Sequence, residues 1–134
     1  MARTQALSHV AMSVPPATLT EAWRTQVLDF YGEVFGWKEM DQFRLPDRLT
    51  ISVGSTYINV RARDDAPAYS GYEHFGVAFP SADELRKAWD DASKHDADLT
   101  LEPLQESDDG YLSFRLHYLL PLTIEAQFIP KPGV

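Results

Sequence analysis

From residue 72 to 79 the chain reads YEHFGVAF, with bulky apolar residues alternating with small or polar ones. Successive side chains of a β-strand point to opposite faces. Phe75, Val77 and Phe79 therefore form one apolar face, and His74, Gly76 and Ala78 form the other. The same alternation recurs at three more places. Val10, Met12 and Val14 oppose His9, Ala11 and Ser13; Ile58 and Val60 oppose Tyr57, Asn59 and Arg61; Ile124, Ala126 and Phe128 oppose Thr123, Glu125 and Gln127. Strands with a single apolar face predict a sheet that is covered by helices on one side. Between them the period changes to 3.6. Leu19, Trp23, Val27, Phe30, Tyr31 and Val34 share one helix face, and Leu85, Ala88, Trp89 and Ala92 share another. Both Trp23 and Trp89 are expected in the core. TLTE at 18–21 and SADE at 81–84 have the capping-box pattern that opens a helix, which predicts helices near 18–35 and 81–95.

These elements occur in the same order twice. ALSHVAMSVP (6–15) aligns with GYEHFGVAFP (71–80), matching His9 with His74, Val10 with Phe75, Val14 with Phe79 and Pro15 with Pro80. Farther on, YINV (57–60) falls on TIEA (123–126). Strands are expected at 38–45, 49–53 and 57–61 after the first helix, with a turn at Gly54 and Ser55. After the second helix they are expected at 99–101, 111–118 and 122–128, with a turn near Pro121. A repeat of this kind fixes architecture. It predicts one α+β domain over all 134 residues, built from two βαβββ modules (6–61 and 71–130) joined by a linker (62–70). The sheet is expected to be mostly antiparallel, with helices on its outer face. The acidic loop 106–110 reads as a solvated turn.

Composition narrows the setting. With 44% hydrophobic and 12% aromatic residues the chain can build a core. A net charge of −8 and a pI near 4.8 remove the electrostatic footprint of a nucleic-acid binder. The absence of cysteine excludes disulfides, thiolate metal sites and cysteine nucleophiles. MARTQALSHVAMSV lacks the apolar run of a signal peptide, and no uninterrupted apolar run reaches the roughly 18 residues of a membrane span. The expectation is a soluble cytoplasmic protein without a membrane partner.

The polar strand faces carry the candidate chemistry. Small residues leave room for a ligand and a few polar groups orient it. His9, His74 and Glu125 lie on such faces, and two imidazoles with one carboxylate can hold a divalent metal while leaving positions open for substrate. A lone strand histidine is ordinarily only hydrogen-bonded; the matched positions in both copies favour metal binding. Arg115 and His117 alternate with Phe114 and Leu116, so both can share the face of Glu125. Arg115 suits a bidentate clamp on a substrate carboxylate or phosphonate, or equally a salt bridge at the rim. His117 suits an acid–base role near neutral pH, or a structural one. Tyr57, Asn59 and Arg61 line the cavity face or simply an ordinary strand surface.

LSHVAMSV, DFYGEVFGW, YEHFGVAF and LTIEAQF together resemble the vicinal oxygen chelate superfamily, which includes glyoxalase I, fosfomycin-resistance enzymes, extradiol dioxygenases and bleomycin-resistance proteins. The resemblance covers nearly the whole chain. It implies paired βαβββ modules forming a U-shaped sheet around a divalent metal (Fe, Mn, Zn or Ni), with His9, His74 and Glu125 as ligands by position. Asn59 stands at the fourth position, where glyoxalase-type members often carry a carboxylate. The chain also departs from the family pattern. The usual Asp-Pro-Asp-Gly turn is replaced around residues 118–121, Arg115 stands where fosfomycin enzymes and extradiol dioxygenases tend to carry a tyrosine, and Ala11 replaces the threonine of fosfomycin transferases. Neither named activity transfers. Two readings stay open. One is a metal-dependent lyase, isomerase or dioxygenase-like enzyme that chelates a small oxygen-bearing substrate. The other is a metal-free small-molecule binding or drug-sequestering protein whose acidic surface draws a cationic ligand. The resemblance also implies a homodimer, with modules pairing within a chain or exchanged between chains.

Overall fold

A computed structural model of the chain describes residues 4–95 and 98–130. The chain divides into two compact units between Ala68 and Tyr69. The first contains β1 (His9–Val14), α1 (Glu21–Phe35), β2 (Lys38–Glu39), β3 (Arg48–Val53) and β4 (Thr56–Ala62). Its sheet order is β1-β4-β3-β2; β1 runs parallel to β4 and the other pairs are antiparallel. The register sets His9 beside Tyr57, Ala11 beside Asn59 and Ser13 beside Arg61, so the expected polar residues share one face. Met12, Val14, Leu49, Ile51, Ile58 and Val60 are buried on the other, and α1 buries Trp23, Val27, Phe30, Tyr31 and Val34. Gly36 ends α1 at φ 74, a left-handed conformation that favours glycine.

Two expectations for this unit need correction. The cap of α1 is Thr20, whose side chain accepts the Trp23 N–H at 3.1 Å, and not Thr18. Pro15 and Pro16 lead into a single 3-10 turn that uses the Thr18 and Leu19 N–H groups, which delays the helix by two residues. The strand expected over 38–45 shortens to Lys38–Glu39. Beyond it the chain forms a 3-10 turn at Asp41–Phe43. The buried Arg24 guanidinium then holds the carbonyls of Leu45, Pro46 and Arg48, so side-chain donors replace a sheet partner.

The second unit contains β5 (His74–Ala78), α2 (Ala82–Ser93), β6 (Thr100–Leu101), β7 (Gln105–Glu106), β8 (Leu112–His117) and β9 (Thr123–Phe128). Its order is β5-β9-β8-β6, with β7 also paired to β8. The wiring repeats that of the first unit, since β5 is parallel to β9 and the rest are antiparallel. Ser81 caps α2 as SADE predicts: its Oγ accepts the Glu84 N–H at 3.2 Å and its hydroxyl donates to Glu84 Oε2 at 3.1 Å. Leu85, Ala88 and Ala92 are buried, as are Leu112, Phe114, Leu116, Ile124 and Ala126.

Here too the pattern overreaches. Phe75, Val77 and Phe79 are half-buried because β5 is the edge of the sheet and α2 lies over β8 and β9. Trp89 is also half-buried, its indole N–H donating to the Glu102 carbonyl at 3.0 Å. The acidic loop begins inside β7, which the sequence does not announce. In the altered turn before β9, Leu119 adopts φ 64 while Leu120 is fully buried.

Candidate functional site

Glu125 sits at the middle of β9 with Gly76 beside it on β5 and Arg115 beside it on β8. A Cβ on Gly76 would stand 3.4 Å from Gln127 Oε1 and 3.6 Å from the Glu125 carbonyl, ordinary contact distances. The Glu125 side chain is only 14% exposed. Its Oε1 lies 3.4 Å from His74 Nε2 and 3.2 Å from Arg115 Nη2. Its Oε2 accepts from Gln127 Nε2 at 3.0 Å and from the Tyr111 hydroxyl at 3.4 Å, and Gln127 also donates to the Tyr111 oxygen at 3.0 Å.

The orientation of His74 is set by the backbone. Its Nδ1 lies 2.7 Å from the Tyr72 carbonyl, and a carbonyl can only accept, so Nδ1 carries the proton. The Tyr72 ring meets the imidazole edge-on at 5.6 Å. Before it, Ser70 donates to Glu73 at 2.6 Å, which holds the Glu73 carboxyl below its usual range and closes the loop that feeds β5. Nε2 therefore faces a carboxylate with either a proton on it or a cation to share. Two ligand atoms, each about 2.1 Å from one ion, stand roughly 3 to 3.4 Å apart, so the observed spacing suits joint ligation. An imidazole whose second nitrogen donates to a carbonyl is the arrangement metal-bound histidines use.

Arg115 is half-buried between two pockets. One, about 220 Å3, is lined by Glu102, Gln105, Tyr111, Ser113 and Glu125; the other, about 180 Å3, by Gly71, Thr100, His117 and Thr123. Arg115 thus shares the face of Glu125 as its alternation predicts, and pairs with it. His117 is exposed, beside Thr100 in the register.

In the first unit His9 is exposed and stacks on Tyr57, with ring centroids 4.8 Å apart and planes 8° from parallel. Its Nδ1 lies 2.8 Å from Ser8 Oγ. Asn59, the counterpart of Glu125, accepts from the Thr50 hydroxyl at 3.4 Å; Arg61 is exposed opposite Arg48. Among the described residues, no group of three His, Asp or Glu side chains is placed so that it could hold a metal. What the second unit brings together is His74, Glu125 and Arg115. Tyr111 and Gln127 complete the surroundings of Glu125. Tyr111 was legible in the sequence, since alternation with Ser113 and Arg115 puts it on the same face.

Residues 25–116 match the family model of the Glyoxalase/Bleomycin resistance protein/Dioxygenase superfamily. Among solved structures, a glyoxalase/bleomycin resistance protein/dioxygenase family enzyme from Burkholderia phytofirmans PsJN has a TM-score of 0.70 at 15% identity, covering 94% of this chain and 100% of that one. A genomically encoded fosfomycin resistance protein from Listeria monocytogenes has a TM-score of 0.67 at 14% identity, over 98% and 97% of the two chains. A lactoylglutathione lyase from Agrobacterium tumefaciens has a TM-score of 0.61 at 17% identity, over 94% and 95%. No curated protein matches the sequence. At such identities the structural likeness shows the fold alone. The family model spans more than half of the chain, and both units have the βαβββ wiring, so this chain belongs to the glyoxalase/bleomycin resistance protein/dioxygenase superfamily.

Proposed function

We propose that the chain is a metal-dependent enzyme acting on a small oxygen-bearing substrate, with a divalent ion (Fe, Mn, Zn or Ni) held in the second unit by His74 and Glu125. The observation that carries this reading is the fixed Nδ1–H form of His74, which turns Nε2 toward Glu125 at 3.4 Å. Held by His74 and Glu125, such an ion would supply Lewis-acid stabilisation of charge on substrate oxygens. The chain's own residues do the rest. Tyr111 and Gln127 occupy Oε2 of Glu125, which leaves Oε1, on the side of His74 and Arg115, as the ligand atom. Arg115, between the two pockets, can hold a substrate carboxylate in a bidentate grip. His117, on the wall of the smaller pocket, can take up or release a proton. Tyr57, Asn59 and Arg61 add polar surface in the first unit. Lyase, isomerase and dioxygenase-like reactions all draw on these parts. A cytoplasmic homodimer belongs to this reading on the strength of composition and family likeness.

One observation favours the metal-free alternative. Glu125 Oε1 already has the Arg115 guanidinium at 3.2 Å and His74 Nε2 at 3.4 Å as neighbours. The protein would then bind a small, cationic ligand drawn by its negative field. Elemental analysis of protein purified without an affinity tag, joined to calorimetric titration, separates the two. The expected result is about one bound divalent ion per chain, with Glu125→Gln weakening affinity more than about tenfold and leaving the circular dichroism unchanged. A parent that binds no divalent ion at micromolar concentration would leave the metal-free reading standing, and a Glu125→Gln variant that binds as the parent does would remove Glu125 from the site.

A further inference from the structure

Acidic residues outnumber basic ones 20 to 12, and most described cations have found a partner. Arg44 pairs with Glu21 and Glu39, Arg63 with Asp65, Arg86 with Glu106, Lys87 with Asp91, Lys94 with Asp90 and Arg115 with Glu125. Arg24 is spent on backbone carbonyls. Among the described lysines and arginines, only Lys38, Arg48 and Arg61 have side chains with no hydrogen bond or ion pair. All three lie on the polar face of the first unit's sheet, Lys38 beside Ser52 and Arg48 beside Arg61.

Arg48 and Arg61 are directly opposed across β3 and β4. The Ala62 N–H donates to the Asp47 carbonyl at 2.8 Å, which makes the neighbouring 48/61 pair a non-hydrogen-bonded one, where facing side chains come closest. Like charges in that position repel and destabilise the sheet. The backbone at Arg48 is nonetheless tied down, since its carbonyl accepts from the buried Arg24 at 3.0 Å. Arg48 Nε is buried and makes no hydrogen bond. The adjoining row is Ala11, Asn59 and Thr50, a small, neutral floor.

We infer that Arg48 and Arg61 form an oxyanion-binding subsite for the carboxylate or phosphate group of a small ligand. A negative group between the two guanidiniums removes their repulsion and gives the idle donors acceptors, and their planar forks match either anion. The subsite uses the first unit alone and stands without a metal at His74 and Glu125.

The test titrates the whole chain with inorganic phosphate and, separately, with acetate, following the arginine Nε–H resonances by NMR. The parent should show a saturable shift at Arg48 Nε–H with at least one anion, and the stronger of the two identifies the group. Arg61→Gln should weaken that binding at least about tenfold, as should Arg48→Lys, which keeps the charge and loses the fork. Arg86→Gln, an equal loss of charge elsewhere, should leave it unchanged. The subsite is refuted if neither anion gives a saturable shift, or if Arg86→Gln weakens binding as much as Arg61→Gln does.

Discussion

The Glu125 carboxylate meets an amide at 3.0 Å, a guanidinium at 3.2 Å, and an imidazole and a phenol at 3.4 Å. Two of these neighbours are neutral and only orient it. Arg115 is different, because its charge competes with any cation for the same Oε1. Its side chain is 39% exposed, so solvent screens the contact without abolishing it. Replacing it by glutamine should therefore tighten divalent-ion binding by several-fold to about tenfold, as judged by calorimetry. Unchanged or weaker affinity would show that the guanidinium does not oppose the ion. His74, Arg115 and Glu125 could be read from alternation because register parity decides which side chains meet. The proton on Nδ1 of His74 could not, since the partner is a backbone carbonyl whose position only the fold defines.

At the scale of elements, hydrophobic pattern reports which way a side chain points and not what lies beyond it. Phe75, Val77 and Phe79 alternate as a core strand does, yet they lie half-buried on an edge. The 38–45 segment likewise lost its strand to carbonyl bonds from Arg24, a donor remote in sequence. Cap chemistry was legible at Ser81 and displaced at Thr18, where two prolines insert a turn first. Thr20→Ala should accordingly cost about 1 kcal/mol in urea unfolding, and Thr18→Ala only a few tenths. Equal losses at the two threonines would contradict the observed cap.

For the molecule as a whole, the internal repeat carried the fold, because an ordered set of elements recurring once is far more informative than any single match. Charge governs its response to acid. Hydrogen bonds from Arg44, Arg63, Ser70, Lys87 and Ser107 hold the carboxyls of Glu21, Asp65, Glu73, Asp91 and Asp109 below their ordinary values. A depressed folded-state value stabilises the fold above the unfolded value and loses that contribution as pH falls through the folded one. Relief of net negative charge acts oppositely between neutral pH and the pI. The thermal midpoint should hold or rise slightly down to about pH 5 and fall steeply below about pH 4. Added salt should flatten the part owed to the exposed ion pairs. A midpoint that keeps rising with acid below pH 4 would contradict this account. In addition, no helix among the described residues is long and apolar enough to cross a membrane.

The proposed metal centre is tested most directly by long-range proton–nitrogen NMR of the histidine rings as Zn2+ is added to the whole chain. His74 should keep its Nδ1 proton throughout, while its Nε2 resonance moves in step with the first equivalent and those of His117 stay in place. A His74 Nε2 resonance that does not respond at saturating Zn2+, or a His74 ring found unprotonated at Nδ1, would contradict the proposed site.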